Sequence, residues 1–216
     1  MLDTRFPRIK GDIGNADSFS FPVRKSVIQG AFPQNIVREN PKTLLPLFVA
    51  AAIQLEKEGA FAITTSCGFL TLFQKELEIA LDVPVLTSSL FLYNEIRPTL
   101  PQNKKLGILT IAASSLSSAH LVSAGITDNP PIGTTENGEE FTSAILENRD
   151  TLDIKKARND NVSAALQLQK EHSDLGAILL ECTNMSPYAD VISKATSLPV
   201  FSILDGLNQL WREAQN

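Results

Sequence analysis

AAIQLEKEGAFAITTSC, residues 51–67, and AALQLQKEHSDLGAILLEC, residues 164–182, repeat one pattern within a single chain. Each holds an apolar stripe at helical spacing, then a turn, then a short apolar run that ends in a cysteine. The second copy carries two extra residues. The agreement continues beyond the cysteines: Pro84 lies 17 residues after Cys67, and Pro199 lies 17 residues after Cys182. Each proline is followed by Val, a bulky apolar residue and a hydroxyl residue, Val85-Leu86-Thr87 and Val200-Phe201-Ser202. Self-similarity of this kind describes architecture, and two copies point to two related halves rather than a solenoid. Chance alignment of two βαβ units is the competing explanation, and the gap-free cysteine-to-proline spacing argues against it.

Outward from the repeat, short apolar runs alternate with longer segments of helical periodicity, the pattern of a mainly parallel sheet. Runs at 8–13, 27–31, 60–65 and 84–87 read as strands of the first half. Runs at 106–110, 131–134 and 176–180 read as strands of the second. Helices are expected at 42–58, about 69–81, 138–148, 153–172 and 205–216. The expected fold is therefore α/β, with two pseudo-symmetric lobes at 1–97 and 98–204 and an active-site cleft between them. Each lobe is expected to be a mainly parallel four-stranded sheet flanked by helices, with the helix at 205–216 packing back onto the first.

Composition narrows the function classes. Of 216 residues, 43 % are hydrophobic and 20 % charged, ordinary values for a globular chain. The net charge of −5 is spread along the sequence, and no basic cluster suits a phosphate backbone, so nucleic acid is not an expected partner. The uncharged stretch 106–127 is long enough to span a bilayer. It carries Ser114, Ser115, Ser117, Ser118, His120 and Ser123, however, and the mean hydropathy of the chain is only +0.01, so no membrane association is expected. MLDTRFPRIKGD at the N-terminus has no apolar signal region, so a cytoplasmic location with reduced thiols is expected. Two cysteines are too few for a disulfide scaffold. His120 and His172 are the only histidines, and neither has ligand spacing to a cysteine, so no metal is expected. His120 fits a structural role, and His172 lies on a polar helix face. The absence of a Gly-x-Ser-x-Gly elbow, a GxGxxG turn or a Walker A loop leaves serine hydrolysis and nucleotide cofactors without a signal.

The cysteines are the remaining chemistry. In open parallel sheets ligands bind beyond the carboxyl ends of the strands, where Cys67 and Cys182 are expected. A position just before a helix supplies free N–H groups and a positive dipole end, which favour thiolate and hold carboxylates. Two facing lobes would set the sulfurs on either side of a ligand. Inverting a stereocentre beside a carboxylate needs a base on one face and an acid on the other, and a thiolate/thiol pair supplies both. Fixed donors would stabilise the carbanion: Thr64, Thr65, Ser66 and Gly68 near one cysteine, Thr183, Asn184 and Ser186 near the other. Gly68 lets the backbone approach a ligand closely. Asp12 and Asp17 could recognise an ammonium group or serve only as turn formers. Buried cysteines are commonly small core hydrophobes, and a narrow cleft could let these two oxidise to a disulfide.

Thr65-Ser66-Cys67-Gly68 and Glu181-Cys182-Thr183-Asn184, set in a two-lobed duplication, resemble the aspartate/glutamate racemase superfamily. That group includes glutamate, aspartate and hydantoin racemases and arylmalonate decarboxylase. The resemblance implies catalysis without pyridoxal phosphate, metal or any other cofactor, with Cys67 and Cys182 as the two bases. It implies that the amides after each cysteine, Thr183 and the loop at Asn15 and Ala16 hold the substrate carboxylate. Thr110, Ser114 and Ser115 take the equivalent place in the second lobe. Having both cysteines places the chain on the racemase side. Glutamate racemases carry Asn-Thr after the first cysteine and Thr-His after the second. Here Gly68-Phe69 and Thr183-Asn184 stand there, so a less polar amino acid or a hydantoin-like compound fits better. The expectation is a cofactor-independent isomerase acting on a small carboxylate, as a homodimer. A decarboxylase or cis–trans isomerase on the same scaffold, and a non-enzymatic small-molecule binding protein, are the alternatives.

Overall fold

The computed structural model describes residues 1–39 and 41–215. In chain order the elements are α1 (Pro33–Arg38), α2 (Leu45–Lys57), β1 (Ile63–Thr64), α3 (Gln74–Ala80), β2 (Val85–Leu86), α4 (Tyr93–Ile96) and β3 (Lys105–Thr110). They continue as α5 (Ser118–Ser123), β4 (Ile132–Thr134), α6 (Phe141–Leu146), α7 (Ile154–Glu171), β5 (Leu175–Leu180), α8 (Ala189–Thr196), β6 (Val200–Phe201) and α9 (Ile203–Glu213). The class is α/β with parallel sheets. One sheet has the order β4-β3-β5-β6, and the other pairs β1 with β2. The central strands of the four-stranded sheet, β3 and β5, are covered on both faces: Leu106, Ile108, Leu109, Ile178, Leu179 and Leu180 are fully buried. Burial on both faces is why these strands read as unbroken apolar runs.

The sequence repeat is a structural repeat in register. Ile63 lies opposite Val85 in the first pair, and Ile178 lies opposite Val200 in the second. Both isoleucine amides donate to the carbonyl of the proline just before the partner strand, Pro84 or Pro199, at 2.9 Å. Each cysteine then follows its isoleucine by four positions. Both cysteines open a tight 3-10 turn, Gly68–Phe73 or Thr183–Tyr188, before an α-helix starts. The helix expected at 69–81 therefore begins as α-helix only at Gln74.

The first sheet is narrower than the four strands expected of it. The run at 8–13 turns instead of extending. Gly11 adopts φ +97°, where a Cβ would stand 2.8 Å from the Pro187 Cα, and the Asp12 carboxylate folds back to accept the Gly14 amide at 2.6 Å. The run at 27–31 meets the N-terminal residues in one parallel bridge, Leu2 to Ile28, before Gly30 turns away at φ +78°. Alternating charge in the first run is the physical reason, because Arg8 and Asp12 turn inward and pair with each other. The stretch 106–127 holds β3, a turn and α5. Among the described residues no helix is long and apolar enough to cross a membrane.

The last helix closes the chain onto its beginning. Trp211 stacks on Phe21 at 4.9 Å between ring centroids and tilts against Phe61 at 5.2 Å. Ile203 and Leu207 bury against Ile13 and Leu86. Ser202 caps this helix, its Oγ accepting the Leu204 amide while Asp205 accepts the Ser202 amide at 2.7 Å. The helix ends at Glu213, and Asn216, the expected end, lies outside the described residues.

One buried carboxylate sets the start of α6. Asp160, on α7, accepts the amides of Glu139, Glu140 and Phe141 at 2.9, 2.8 and 2.7 Å. Asp160→Ala leaves three donors without this acceptor and is expected to lower the unfolding free energy by about 3 kcal/mol. Urea unfolding at constant m-value checks this. A loss under about 1 kcal/mol would show that the carboxylate is not the anchor.

Candidate active site

The two repeat units bring their cysteines to one place. Cys67 and Cys182 are both free thiols, both buried, and both line the same closed cavity of about 10 Å³. That is room for about one water molecule. The loops that carry them are joined directly, because Thr183 Oγ1 donates to the Ser66 carbonyl at 2.8 Å. Ser66 Oγ in turn accepts the Leu2 amide at 2.8 Å, which lays the N-terminal segment over the site. Leu2, Phe6 and Arg8 of that segment line the cavity from the outside of the repeat.

A carboxyl group shares the cavity with the thiols. Glu181 is fully buried and also lines the cavity. Its Oε2 accepts the Thr110 hydroxyl at 2.7 Å, while Oε1 has no partner. Gly68 is the residue that makes this possible. A Cβ at position 68 would stand 2.2 Å from Glu181 Oε1 and 2.3 Å from the Glu181 carbonyl oxygen, so only glycine fits.

Burial controls the acidities. It pushes the Glu181 carboxyl up to about 7, with the Thr110 hydrogen bond pulling the other way. It pushes the Cys67 thiol up to about 12, and the nearby Glu181 adds to the rise. The Phe69 and Leu70 amides and Arg8 oppose it. Cys182 is raised well above the ordinary thiol range by burial, then by Glu181 and Cys67, with only the Asn184 amide relieving it before Asp12 raises it again. The expectation of thiols made acidic by helix starts is thus corrected. The amides are present, but desolvation and a neighbouring carboxyl outweigh them.

A polar chain links the cover to the second cysteine. Arg8 Nη1 pairs with Asp12 Oδ1 at 2.8 Å, Nη2 donates to Thr4 Oγ1 at 2.9 Å, and the guanidinium lies 4.4 Å from the Phe6 ring centroid. Arg8 Nε has no partner. Asp12 Oδ2 accepts Asn184 Nδ2 at 2.7 Å, and the Cys182 thiol donates to Asn184 Oδ1 at 3.7 Å.

Of the residues singled out from sequence, Ser66, Cys67, Gly68, Phe69, Cys182 and Asn184 line the cavity. Thr110 and Thr183 stand one step behind it, holding Glu181 and Ser66. Asn15, Ala16, Ser114 and Ser115 are not in its wall. Asn15 caps the short turn at Ala16–Ser18 and donates to the Arg8 carbonyl at 2.8 Å. Ser114 and Ser115 accept Arg38 Nη1 at 2.6 and 3.0 Å near the surface. His120 is structural: its Nδ1 accepts the Ser117 amide, and its ring edge meets Phe69 at 5.1 Å. Arg8 and Glu181 are the functional candidates that spacing alone did not select. A charge at the end of the apolar run Leu179-Leu180-Glu181 was the available signal. Larger hollows of about 470 and 630 Å³ lie beside Thr134–Gly138 and beside Phe21 and Trp211, and neither contains a cysteine. Among the described residues, no group of three or more His, Cys, Asp or Glu could hold a metal ion.

No protein-family model matches the chain. Solved structures of the aspartate/glutamate racemase superfamily share its fold. A putative Asp/Glu racemase from Yersinia pestis superposes with a TM-score of 0.53 at 18 % identity, covering 74 % of this chain and 68 % of that one. Unliganded arylmalonate decarboxylase gives 0.52 at 15 % identity, covering 81 % and 76 %. At such identities the likeness establishes the fold alone. Similarity in sequence leads elsewhere. A dimethylsulfoniopropionate lyase from Durusdinium sp. clade D is 30 % identical over 220 residues, 94 % of this chain and 69 % of the relative. Dimethylsulfoniopropionate lyase 7 from Emiliania huxleyi (strain CCMP1516) is 26 % identical over 227 residues, 96 % of this chain but 63 % of the relative. These relatives are lyases, which overturns the expectation of a racemase and of the isomerase class. The chain shares its fold with the racemase structures, and by sequence it belongs to the dimethylsulfoniopropionate lyase family.

Proposed function

We propose that the chain releases dimethyl sulfide from dimethylsulfoniopropionate, leaving acrylate, with Cys67 as the base. The observation that carries this reading is the joint burial of two thiols on one closed cavity in a member of this lyase family. A carbon beside a carboxylate is a weak acid. A thiolate takes its proton, the freed electron pair forms the carbon–carbon double bond, and the carbon–sulfur bond breaks with its pair on sulfur. The sulfonium thereby becomes neutral dimethyl sulfide, so the leaving group needs no acid. One base is enough, in contrast to inversion of a stereocentre.

The surroundings of the two thiols support Cys67 in that role. Two amides and Arg8 favour its thiolate, whereas Cys182 has one amide and is opposed by Asp12 as well as Glu181. Two adjacent thiolates would repel, so ionising Cys67 keeps Cys182 as a neutral thiol. Burial strengthens the base once formed, because the cavity leaves room for about one water molecule to solvate the thiolate. Ser66, Gly68, Phe69 and Asn184 shape the space the substrate fills.

Headspace measurement of dimethyl sulfide tests the reading. The wild-type chain is expected to release it, and Cys67→Ala is expected to lower kcat/KM by about 10²–10⁴-fold, the usual contribution of a positioned base. Cys182→Ser is expected to cost less. Release at the wild-type rate by Cys67→Ala would eliminate Cys67 as the base.

The pH profile supplies a separate check. With its thiol held near 12, Cys67 is protonated at neutral pH, and its thiolate fraction grows about tenfold per pH unit. After subtraction of hydroxide-driven elimination in an enzyme-free control, kcat/KM is expected to climb steadily from pH 6 to 9. A profile that falls over that range would contradict a thiolate base.

A further inference from the structure

The cavity holds unsatisfied polar atoms of both kinds. Its wall contains one cation, Arg8, and one carboxyl, Glu181, among otherwise uncharged residues. Arg8 Nε is a buried donor without a partner, and Glu181 Oε1 is a buried acceptor without one. The two do not satisfy each other, since the Arg8 guanidinium pairs with Asp12 and Glu181 takes only the Thr110 hydroxyl. Buried polar atoms are nearly always hydrogen-bonded, so two orphans of opposite kind on one cavity call for an explanation. The rest of the wall is largely apolar, with Leu2, Phe6, Phe69, Ile145 and Leu146 offering contacts suited to methyl groups.

We infer that Glu181 is a specificity-determining residue that recognises the onium centre of a zwitterionic onium carboxylate, while Arg8 receives the carboxylate end. This rests on the lyase reading above and names the substrate class of the same site. A sulfonium bearing methyl groups has no N–H or O–H to offer, so apolar walls and one carboxylate are the groups that complement it. Burial, partly offset by the Thr110 hydrogen bond, holds Glu181 at about 7, and an arriving cation favours its charged form. The attraction belongs to binding rather than to rate, because the positive charge on sulfur disappears as the carbon–sulfur bond breaks. Gly68 is part of the same device, since any larger residue would displace the carboxyl from the wall.

The test uses two unreactive ligands of equal shape, 3-(trimethylammonio)propionate and 4,4-dimethylpentanoate, which differ only in the positive charge. Isothermal calorimetry at pH 8 is expected to show that the wild-type chain prefers the ammonium compound by at least about tenfold. Glu181→Gln is expected to abolish that preference while binding 4,4-dimethylpentanoate as the wild type does, which also shows that the variant is folded. Arg8→Lys is expected to weaken both ligands equally. A preference that survives Glu181→Gln, or a wild-type chain that binds neither ligand or shows no preference, would overturn the inference. Because neither ligand reacts, the outcome is independent of dimethyl sulfide release. Selective binding without release would sink the lyase reading and leave Glu181 in its role.

Discussion

The close approach of Gly68 to Glu181 is the constraint on which the site depends. The backbone of the first repeat unit passes so near the second that a Cβ would meet a carboxyl oxygen at 2.2 Å. That contact sets the distance between the loops after β1 and β5, and the bond from Thr183 to Ser66 fastens them in the same geometry. Both loops are delivered by strands paired in identical register, so the duplication supplies the symmetry and Gly68 supplies the fit. The result is a carboxyl group and two thiols on one cavity with room for about one water molecule, too little solvent to favour their ionised forms.

Dryness has consequences in both directions. The raised carboxyl is costly near neutral pH, where the unfolded chain would ionise it, and the polar atoms left over are the ones a charged substrate could satisfy. The cover is held both by Leu2 and Phe6, buried in the apolar core, and by hydrogen bonds to Asn148. Asn148, after α6, accepts the Arg5 amide at 2.7 Å and the Arg5 Nε at 3.2 Å, and donates to the Asp3 carbonyl at 3.2 Å. Asn148 itself adopts φ 54°, a left-handed conformation that asparagine tolerates better than most residues. A cavity of about 10 Å³ admits no substrate of the proposed size, so this hydrogen-bonded cover is the element whose displacement would open the site.

Much of the architecture was legible because the apolar pattern repeats. β3, β5 and the helices α2 and α7 fall close to where periodicity puts them, and the cysteine-to-proline spacing foretold the register of both strand pairs. The first sheet was misread because apolar and charged residues alternate at 8–13 for a different reason, with Arg8 and Asp12 paired inside the fold. Both thiols follow a strand and line one cavity, while their acidity runs opposite to the expectation. Spacing reveals which amides lie near a sulfur, whereas burial depends on residues far away in sequence, such as Leu2, Phe6 and Ile145. Arg8 and Glu181 escaped for the same reason. The reaction class was not legible, because solved racemases and a decarboxylase share this fold while the relatives in sequence are lyases.

The most direct test of the account is a crystal structure with 3-(trimethylammonio)propionate bound. The ligand is expected between Cys67 and Cys182, its methyl groups toward Glu181 and the carbon beside its carboxylate within reach of the Cys67 sulfur, with residues 2–8 displaced to admit it. Ligand bound instead in the hollow beside Phe21 and Trp211, with the cysteine cavity still closed, would contradict it.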